Sequence, residues 1–169
     1  MTPHQEREFR EYVQARRPAL LRTAYLMCGD WHRAEDAVQS SMIKLYAAWS
    51  KTKLETADAY TRRIVTNAVI DQYRRGWFRR ERSYAELPEG AADADGPEER
   101  LAAVAALAKL PPRQRATLVL RFWEDLPVDE TARIMRCSTG TVKSQTARGL
   151  QTLRDLLEKS DLADQGARS

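Results

Sequence analysis

The chain has 169 residues, of which 43% are hydrophobic and 31% charged, enough for one ordinary domain or two small ones with packed cores. Its 28 Lys and Arg residues against 24 Asp and Glu residues leave a net charge of +4. No stretch approaches the roughly 20 apolar residues of a membrane-spanning helix, and the first residues lack the apolar segment of a secretory signal. The sequence therefore excludes a membrane-inserted protein. The two cysteines, Cys28 and Cys137, lie far apart, which excludes a disulfide scaffold and predicts a reducing, cytoplasmic location.

Charge is distributed unevenly along the chain. Residues 1–82 hold 16 basic and 10 acidic side chains, residues 83–99 hold 6 acidic and no basic ones, and residues 100–169 hold 12 basic and 8 acidic ones. The acidic stretch is rich in proline and glycine and too poor in apolar residues to offset its ordering entropy. We predict basic modules over 1–82 and 99–159, a flexible acidic linker over 83–98 and a frayed tail over 160–169. A long ordered surface loop is the alternative to the linker.

Helical spacing dominates the first module, and strand patterns are nearly absent. Apolar residues one turn apart predict a first helix, which we expect Pro18 to break or kink. Gly29 and Asp30 then supply a helix stop and an N-cap. The next helix runs from Trp31 to about Ser50 and buries one apolar stripe, formed by Ala34, Val38, Met42, Leu45 and Trp49.

The sequence predicts a third helix from about Ala59 to Arg75, with Asp58 as its cap. Ile64 and Ala68 are predicted to face inward, with Val65 and Val69 as further candidates. One polar stripe at steps of four, four and three residues consists of Arg63, Asn67, Asp71 and Arg74.

Four helices are predicted in the second module, over 99–109, 113–124, 128–135 and from a cap at Ser138 or Thr139 to about Leu157. Pro111 and Pro112 end the first of them. The last two, joined by a short turn, form a helix-turn-helix pattern. The longer helix would expose short polar, amide and cationic side chains of the kind that meet base edges and phosphates in the major groove. An ordinary helical hairpin with a solvated face is the alternative.

A second basic signal lies between Arg74 and Arg82, where five arginines in nine residues enclose Trp77 and Phe78. Arginine binds phosphates and aromatic faces stack on unpaired bases. A basic helix end whose aromatic residues pack onto the core explains the same pattern equally well.

Patterns typical of enzymes are missing. The 7 glycines are scattered and make no phosphate-binding loop, and no nucleophile elbow or HExxH motif occurs. Cys28 and His32 have no further soft ligand nearby, so we expect no metal and no cofactor. Glu35 and Asp36 are adjacent on a helix and diverge, which suits a solvated or partner-facing acidic patch better than paired carboxylates.

Three segments in order resemble the extracytoplasmic-function (ECF) sigma factors of bacterial RNA polymerase. GDWHRAEDAVQSSMIKLYAAW resembles the polymerase-clamp-binding helix of region 2, and YTRRIVTNAVIDQYRR resembles its promoter-melting and −10-reading helix. LPPRQRATLVLRFWEDLPVDETARIMRCSTGTVKSQTARGLQTLR resembles region 4 with its −35-reading helix-turn-helix. The resemblance implies an all-α fold with a region 2 bundle of three to four helices and a region 4 helix-turn-helix bundle.

The resemblance also implies a function and its residues. A sigma factor is not an enzyme; it binds the clamp and flap of the large subunit of core RNA polymerase, reads the −10 and −35 promoter elements and promotes melting. The core-binding positions are Glu35, Asp36, Gln39 and Ile43. The −10 positions are Tyr60, Arg63, Asn67, Asp71, Arg74 and Arg75. The −35 positions are Thr141, Lys143, Ser144, Ala147 and Arg148. Residues 51–57 would form a loop that holds a flipped base, and the acidic linker would thread the RNA-exit region.

Some positions depart from the family pattern. Tyr60 replaces a frequent Trp, and Pro127 replaces the usual cap of the first helix of the helix-turn-helix. Arg136 occupies a turn position where glycine is frequent, so a left-handed backbone there costs free energy. Ala147 replaces a larger residue, which leaves the −35 preference open. Many relatives are bound by an anti-sigma factor, and the sequence leaves open whether this chain has one.

Two other functions remain as alternatives. A stand-alone helix-turn-helix regulator would need only residues 100–157 and leaves the first module unexplained. A metal-dependent nuclease would use Glu35 or Asp36.

Overall fold

The computed structural model of the chain describes residues 1–76 and 98–167. Within these ranges the chain is helical, and it divides into two compact units, Met1–Leu87 and Pro88–Ser169. The first unit contains α1 (Pro3–Cys28), α2 (Trp31–Ala48) and α3 (Leu54–Gly76). The second contains α4 (Glu98–Ala108), α5 (Pro112–Leu118), α6 (Val128–Met135) and α7 (Thr139–Ala167). None of the described helices is long and apolar enough to cross a membrane.

In the first unit, α1, α2 and α3 each pack against the other two and form a three-helix bundle. One core cluster is built on Leu45, Trp49 and Ala57, which are almost completely buried. The ring of Phe9 meets the edge of Trp49 at a centroid distance of 5.4 Å, and the ring of Tyr12 lies 5.3 Å away. The predicted α2 stripe is confirmed, with Met42 only partly buried.

The link between α1 and α2 follows the prediction. Gly29 ends α1 in the left-handed conformation, with φ of 72°, and its N–H donates to the Tyr25 carbonyl. The Asp30 carboxylate accepts hydrogen bonds from the backbone N–H groups of His32 and Arg33 at 2.8 and 3.2 Å. These contacts satisfy donors at the start of α2 that would otherwise lack partners.

Two predictions for the first unit need correction. Of the break or kink predicted at Pro18, the break is wrong, because α1 is continuous from Pro3 to Cys28. The cost of a proline inside a helix, about 3 kcal/mol, is outweighed because residues on both sides of Pro18, from Phe9 to Met27, pack into the bundle. Asp58 does not cap α3 either, since α3 begins at Leu54.

Asp58 instead joins α3 to α1. The Tyr12 hydroxyl donates to Asp58 Oδ1 at 2.8 Å and lies 3.0 Å from Thr61 Oγ1, while Arg16 pairs with Asp58 Oδ2 at 2.7 Å. Burial raises the pKa of Tyr12 from 10.0 to about 12; the Asp58 carboxylate acts in the same direction and the Thr61 hydrogen bond in the opposite one. Asp58 therefore links two helices through Tyr12 and Arg16 of α1, a role that its own helix does not specify.

The expected loop over residues 51–57 is also largely helical. Lys51 ends a short 3₁₀ turn that begins at Trp49, and residues 54–57 form the first turn of α3. Ala57 is fully buried against Leu45 and Trp49, so this turn belongs to the core. Only Thr52 and Lys53 connect the two helical segments.

In the second unit, α7 packs against α4, α5 and α6. The predicted helix over 113–124 is α5 followed by a π-helical turn over residues 119–123, closed by the Glu124 N–H donating to the Val119 carbonyl at 3.0 Å. The final helix extends ten residues beyond the predicted end, to Ala167. The segment after Leu157 contains no proline, which would interrupt the helix, and residues 160–167 are helical and exposed.

Candidate nucleic-acid interface

The outer face of α2 carries the predicted core-binding side chains. Glu35, Asp36, Gln39 and Ile43 are all exposed, whereas Ala34, Ala37, Val38 and Leu45 on the opposite side are fully buried. Ile43 is 67% exposed, although it is a large apolar residue with acidic and amide side chains one and two turns away. The outer face of α2 thus combines one exposed apolar side chain with acidic and amide ones, and all four are accessible to a partner.

The stripe along α3 holds the predicted −10 side chains on one side of the helix. Arg63, Asp71, Arg74 and Arg75 are exposed, and Tyr60 and Asn67 are partly buried. Val65 and Val69, each 1% exposed, anchor the opposite side in the core. The Arg63 guanidinium lies 5.4 Å from the centroid of the Tyr60 ring, a cation–π distance. The stripe thus combines an aromatic face, an amide and cations, groups that stack on bases, bind their edges and pair with phosphates.

Arg74 and Arg75 lie in the last turn of α3, where cations interact favourably with the helix dipole. The Arg33 side chain of α2 approaches the same helix end, since its Nη2 lies 3.7 Å from the position of a Cβ built on Gly76. The Arg33 carbonyl also accepts a hydrogen bond from Gln72 Nε2 at 3.0 Å. The predicted Arg–aromatic signal continues beyond Gly76, but its residues 77–82 lie outside the described part of the chain.

The helix-turn-helix is formed by α6 and α7, and the predicted bounds of α6 are confirmed. Arg136 adopts the left-handed conformation, with φ of 53° and ψ of 50°, and the Cys137 N–H donates to the Ala132 carbonyl at 3.1 Å. Ser138 is the cap of α7, because its hydroxyl oxygen accepts from the Thr141 N–H at 3.0 Å. Arg113 of α5 donates to the Met135 carbonyl at 2.6 Å and holds the C-terminal end of α6.

The first turns of α7 separate an exposed side from a buried one. Lys143, Ser144, Ala147 and Arg148 are exposed and Thr141 is partly buried, whereas Val142 and Gly149 are buried toward α5 and α6. Thr141 also binds locally, with its hydroxyl 2.9 Å from that of Ser138 and its carbonyl accepting from Ser144 Oγ at 3.1 Å. Lys143 and Arg148 therefore present exposed cations on this side, and Ala147 leaves an apolar gap between them.

Several exposed side chains were not singled out from the sequence. Phe122 and Trp123, 58% and 57% exposed, project from the π-helical turn, and the Arg121 guanidinium lies 5.9 Å from the Phe122 ring centroid. Tyr46 and Leu54 are exposed in the first unit. Their helical spacing is compatible with either side of a helix, so only the packing could identify them as surface residues.

The described residues contain no cluster of three or more His, Cys, Asp or Glu side chains that could hold a metal ion. Cys28 is buried, and its thiol donates to the Asp30 carbonyl at 3.3 Å. Glu35 and Asp36, the side chains that a nuclease would use, lie on an open helix face.

Comparison with known proteins gives two family matches. The model for sigma-70 region 2 matches residues 12–79, and the model for sigma-70, region 4 matches residues 100–153. An RNA polymerase sigma-E factor of Streptomyces avermitilis is 37% identical over 159 residues, which cover 92% of this chain and 88% of that protein. The ECF RNA polymerase sigma factor SigE of Mycolicibacterium smegmatis is 34% identical over 157 residues, covering 88% of this chain and 61% of that protein.

Two solved structures have a similar fold. The sigma factor RpoE of Bartonella quintana, crystallised with the anti-sigma factor NepR, superposes with a TM-score of 0.73 at 25% identity and covers 89% of this chain and 97% of that chain. CnrH, in complex with the cytosolic domain of CnrY, gives a TM-score of 0.65 at 24% identity, covering 91% of this chain and 90% of that chain.

Proposed function

The chain belongs to the ECF sigma factors of bacterial RNA polymerase, and we propose which of its surfaces perform each step of initiation. As a member of this family it binds core RNA polymerase and directs promoter-specific transcription initiation. We infer that it acts in the cytoplasm as a specificity subunit without catalytic activity of its own, with modules over 1–82 and 99–159 joined by a linker over 83–98.

The first proposed surface is the outer face of α2, which docks on the clamp of the large polymerase subunit. Support comes from the exposure of Ile43 among Glu35, Asp36 and Gln39. Burying an isoleucine side chain at an interface contributes about 1.5–3 kcal/mol. Ile43→Ala should therefore weaken binding to core polymerase about ten-fold or more.

The chain offers a closely matched control for that variant. Leu162 of α7 is 68% exposed, against 67% for Ile43, and lies outside every surface proposed here. Leu162→Ala should leave core affinity unchanged in a titration of labelled sigma factor with purified core enzyme. Equal changes in core affinity for the two variants would show that the α2 face does not contact core polymerase.

The second proposed surface is the α3 stripe, which meets the single-stranded −10 element. Tyr60 and Asn67 would contact bases, Arg63 and Asp71 would border them, and Arg74 and Arg75 would pair with the backbone. Asn67→Ala should impair promoter opening more than core binding. Permanganate reactivity of promoter thymines provides the readout, and an unchanged footprint would contradict the role of Asn67.

The third proposed surface is the start of α7, which we assign to the −35 element. The geometry of this helix end is the main support for that assignment. The capped helix presents Lys143, Ser144, Ala147 and Arg148 on the side opposite its buried anchors, with Thr141 at the edge. A helix N-terminus with such side chains enters the major groove in helix-turn-helix proteins. Run-off transcription by the reconstituted holoenzyme on a random promoter library would recover a two-element consensus if this assignment is correct.

Two further partner contacts are proposed. Phe122 and Trp123 form an exposed aromatic pair in the second unit, and aromatic residues are enriched in protein interfaces. We assign them to the flap of the large subunit, so Trp123→Ala should lower transcription from all promoters without changing the −35 preference. An anti-sigma factor is the other proposed partner, because the sigma factor RpoE of Bartonella quintana, whose fold is similar, was co-crystallised with the anti-sigma factor NepR.

A further inference from the structure

The outward face of α1 carries exposed arginines that none of the surfaces above uses. Arg7, Arg10 and Arg17 are all exposed, and we call them the α1 arginine strip. They follow at steps of three and seven residues, which brings them to one side of the helix. Leu20, Thr23 and Met27 are buried residues of α1 and lie on the side that packs into the bundle.

The arginines of the strip are not committed to partners within the described chain. Arg16, which lies next to Arg17 in sequence, shows the contrast, because its guanidinium pairs with Asp58 of the bundle at 2.7 Å. The strip presents three exposed guanidinium groups, with Glu11 as an exposed carboxylate beside them.

The dimensions and chemistry of the strip suit a chain of phosphates. From Arg7 to Arg17 the helix rises about 15 Å at 1.5 Å per residue, a length over which one strand of duplex DNA, at about 3.4 Å per phosphate, presents about four charges. Guanidinium groups bind phosphate oxygens in a bidentate manner.

A protein partner fits this face less well. Cores of protein interfaces are depleted of charge and enriched in aromatic residues, and among the described residues no exposed large apolar side chain belongs to α1. A lipid surface would also require apolar side chains beside the cations. The polar, cationic surface therefore favours a nucleic-acid backbone.

We propose that the α1 arginine strip binds the phosphate backbone of promoter DNA in the initiation complex, without reading its sequence. The inference rests on the proposed function, since it needs the sigma factor to be held on the promoter by core polymerase. Contacts of this type release counterions, so each one lost reduces the slope of log affinity against log salt by about 0.9 for duplex DNA.

The test uses the full chain in holoenzyme, bound to a duplex promoter fragment recovered from the random library. Replacing all three arginines with glutamine keeps good helix formers at exposed positions. Filter binding between about 50 and 200 mM salt should then show a slope smaller by about 2–3 than that of the wild-type holoenzyme. The loss should be the same on promoters that differ in their −10 and −35 sequences, and Glu11→Gln should strengthen binding.

A matched pair of double variants separates a local contact from an effect of net charge. Arg10→Gln with Arg17→Gln removes two charges from the strip, and Lys109→Gln with Lys159→Gln removes two exposed charges elsewhere. The first pair should reduce the slope by about 2 and the second should leave it unchanged.

Three results would overturn the proposal. An unchanged slope in the triple variant would show that the strip does not touch DNA, and an equal change in the lysine control would reduce the effect to net charge. A weaker affinity for core polymerase with an unchanged slope would make the strip a protein contact. Failure of the wild-type chain to bind core polymerase at all would overturn the proposed function and this inference with it.

Discussion

Gly149 lies where α7 approaches α5, and replacing it with alanine would crowd that contact. A Cβ at this position would lie 3.0 Å from Leu118 Cδ1 and 3.1 Å from Leu118 Cγ. Leu118 is 4% exposed, so its side chain has little space to move away. Overpacking of this kind costs about 1–3 kcal/mol, whereas alanine inside a helix gains about 1 kcal/mol over glycine. We expect a net loss of about 1 kcal/mol in the stability of the second unit.

Hydrogen exchange read by mass spectrometry can assign this loss to one unit. Peptides from α5, α6 and α7 should lose about five-fold in protection, the factor that corresponds to about 1 kcal/mol. Peptides from α1, α2 and α3 should not change, and they serve as the internal reference. Gly140→Ala is the matched control, because its added Cβ would lie 3.8 Å from the nearest heavy atom, Ser138 Oγ.

A double-mutant cycle identifies the cause of the change. In a Leu118→Ala background the crowding atoms are absent, so Gly149→Ala should stabilise the unit through helix propensity. If Gly149→Ala costs the same in both backgrounds, contact with Leu118 does not explain the loss. If it stabilises the wild-type chain, the close approach of α5 and α7 is itself wrong.

Three other predictions follow from named contacts. In an ultraviolet titration, Tyr12→Phe should remove tyrosine ionisation near pH 12 that the folded wild-type protein shows. Because an unfolded tyrosine ionises near pH 10.0, the stability from the raised pKa of Tyr12 is fully present below pH 10.0 and is lost as the pH rises toward 12, which unfolding at several alkaline pH values would detect. Arg136→Gly should raise the thermal midpoint of the second unit, since it relieves a left-handed conformation that costs about 1 kcal/mol; a lower midpoint would contradict the strain. Lys143→Ala and Arg148→Ala should each weaken −35-dependent initiation by about 1–3 kcal/mol if they contact base edges, whereas equal losses on all promoters would make them phosphate contacts.

The local sequence was sufficient to predict features that depend only on residues within one helix or its cap. The bounds of α6, the cap at Asp30 and the buried stripe of α2 agree with the prediction. Each depends on hydrogen bonds or helical periodicity within a few residues, which the order of residue types encodes directly. The assignment of individual residues to polymerase and promoter stays a prediction from the family resemblance, because those partners are outside the chain.

Other features depended on residues far away in sequence. Pro18 remains inside a helix, and Asp58 joins α3 to Tyr12 and Arg16 instead of capping it. The sequence does not indicate a role for Gly149, which depends on its contact with Leu118 of another helix. In each case the local preference is worth a few kcal/mol at most, and packing between helices outweighs it.

The amino-acid sequence by itself determined that the protein is helical, that it has two basic modules and that its second module ends in a helix-turn-helix. Those properties follow from composition, periodicity and capping. Only the tertiary structure decided which side of each helix remains on the surface, and therefore that Ile43, Trp123 and the α1 arginine strip are available to partners. Exposure is a property of what packs against a residue, and a helical pattern alone does not specify the neighbouring helix.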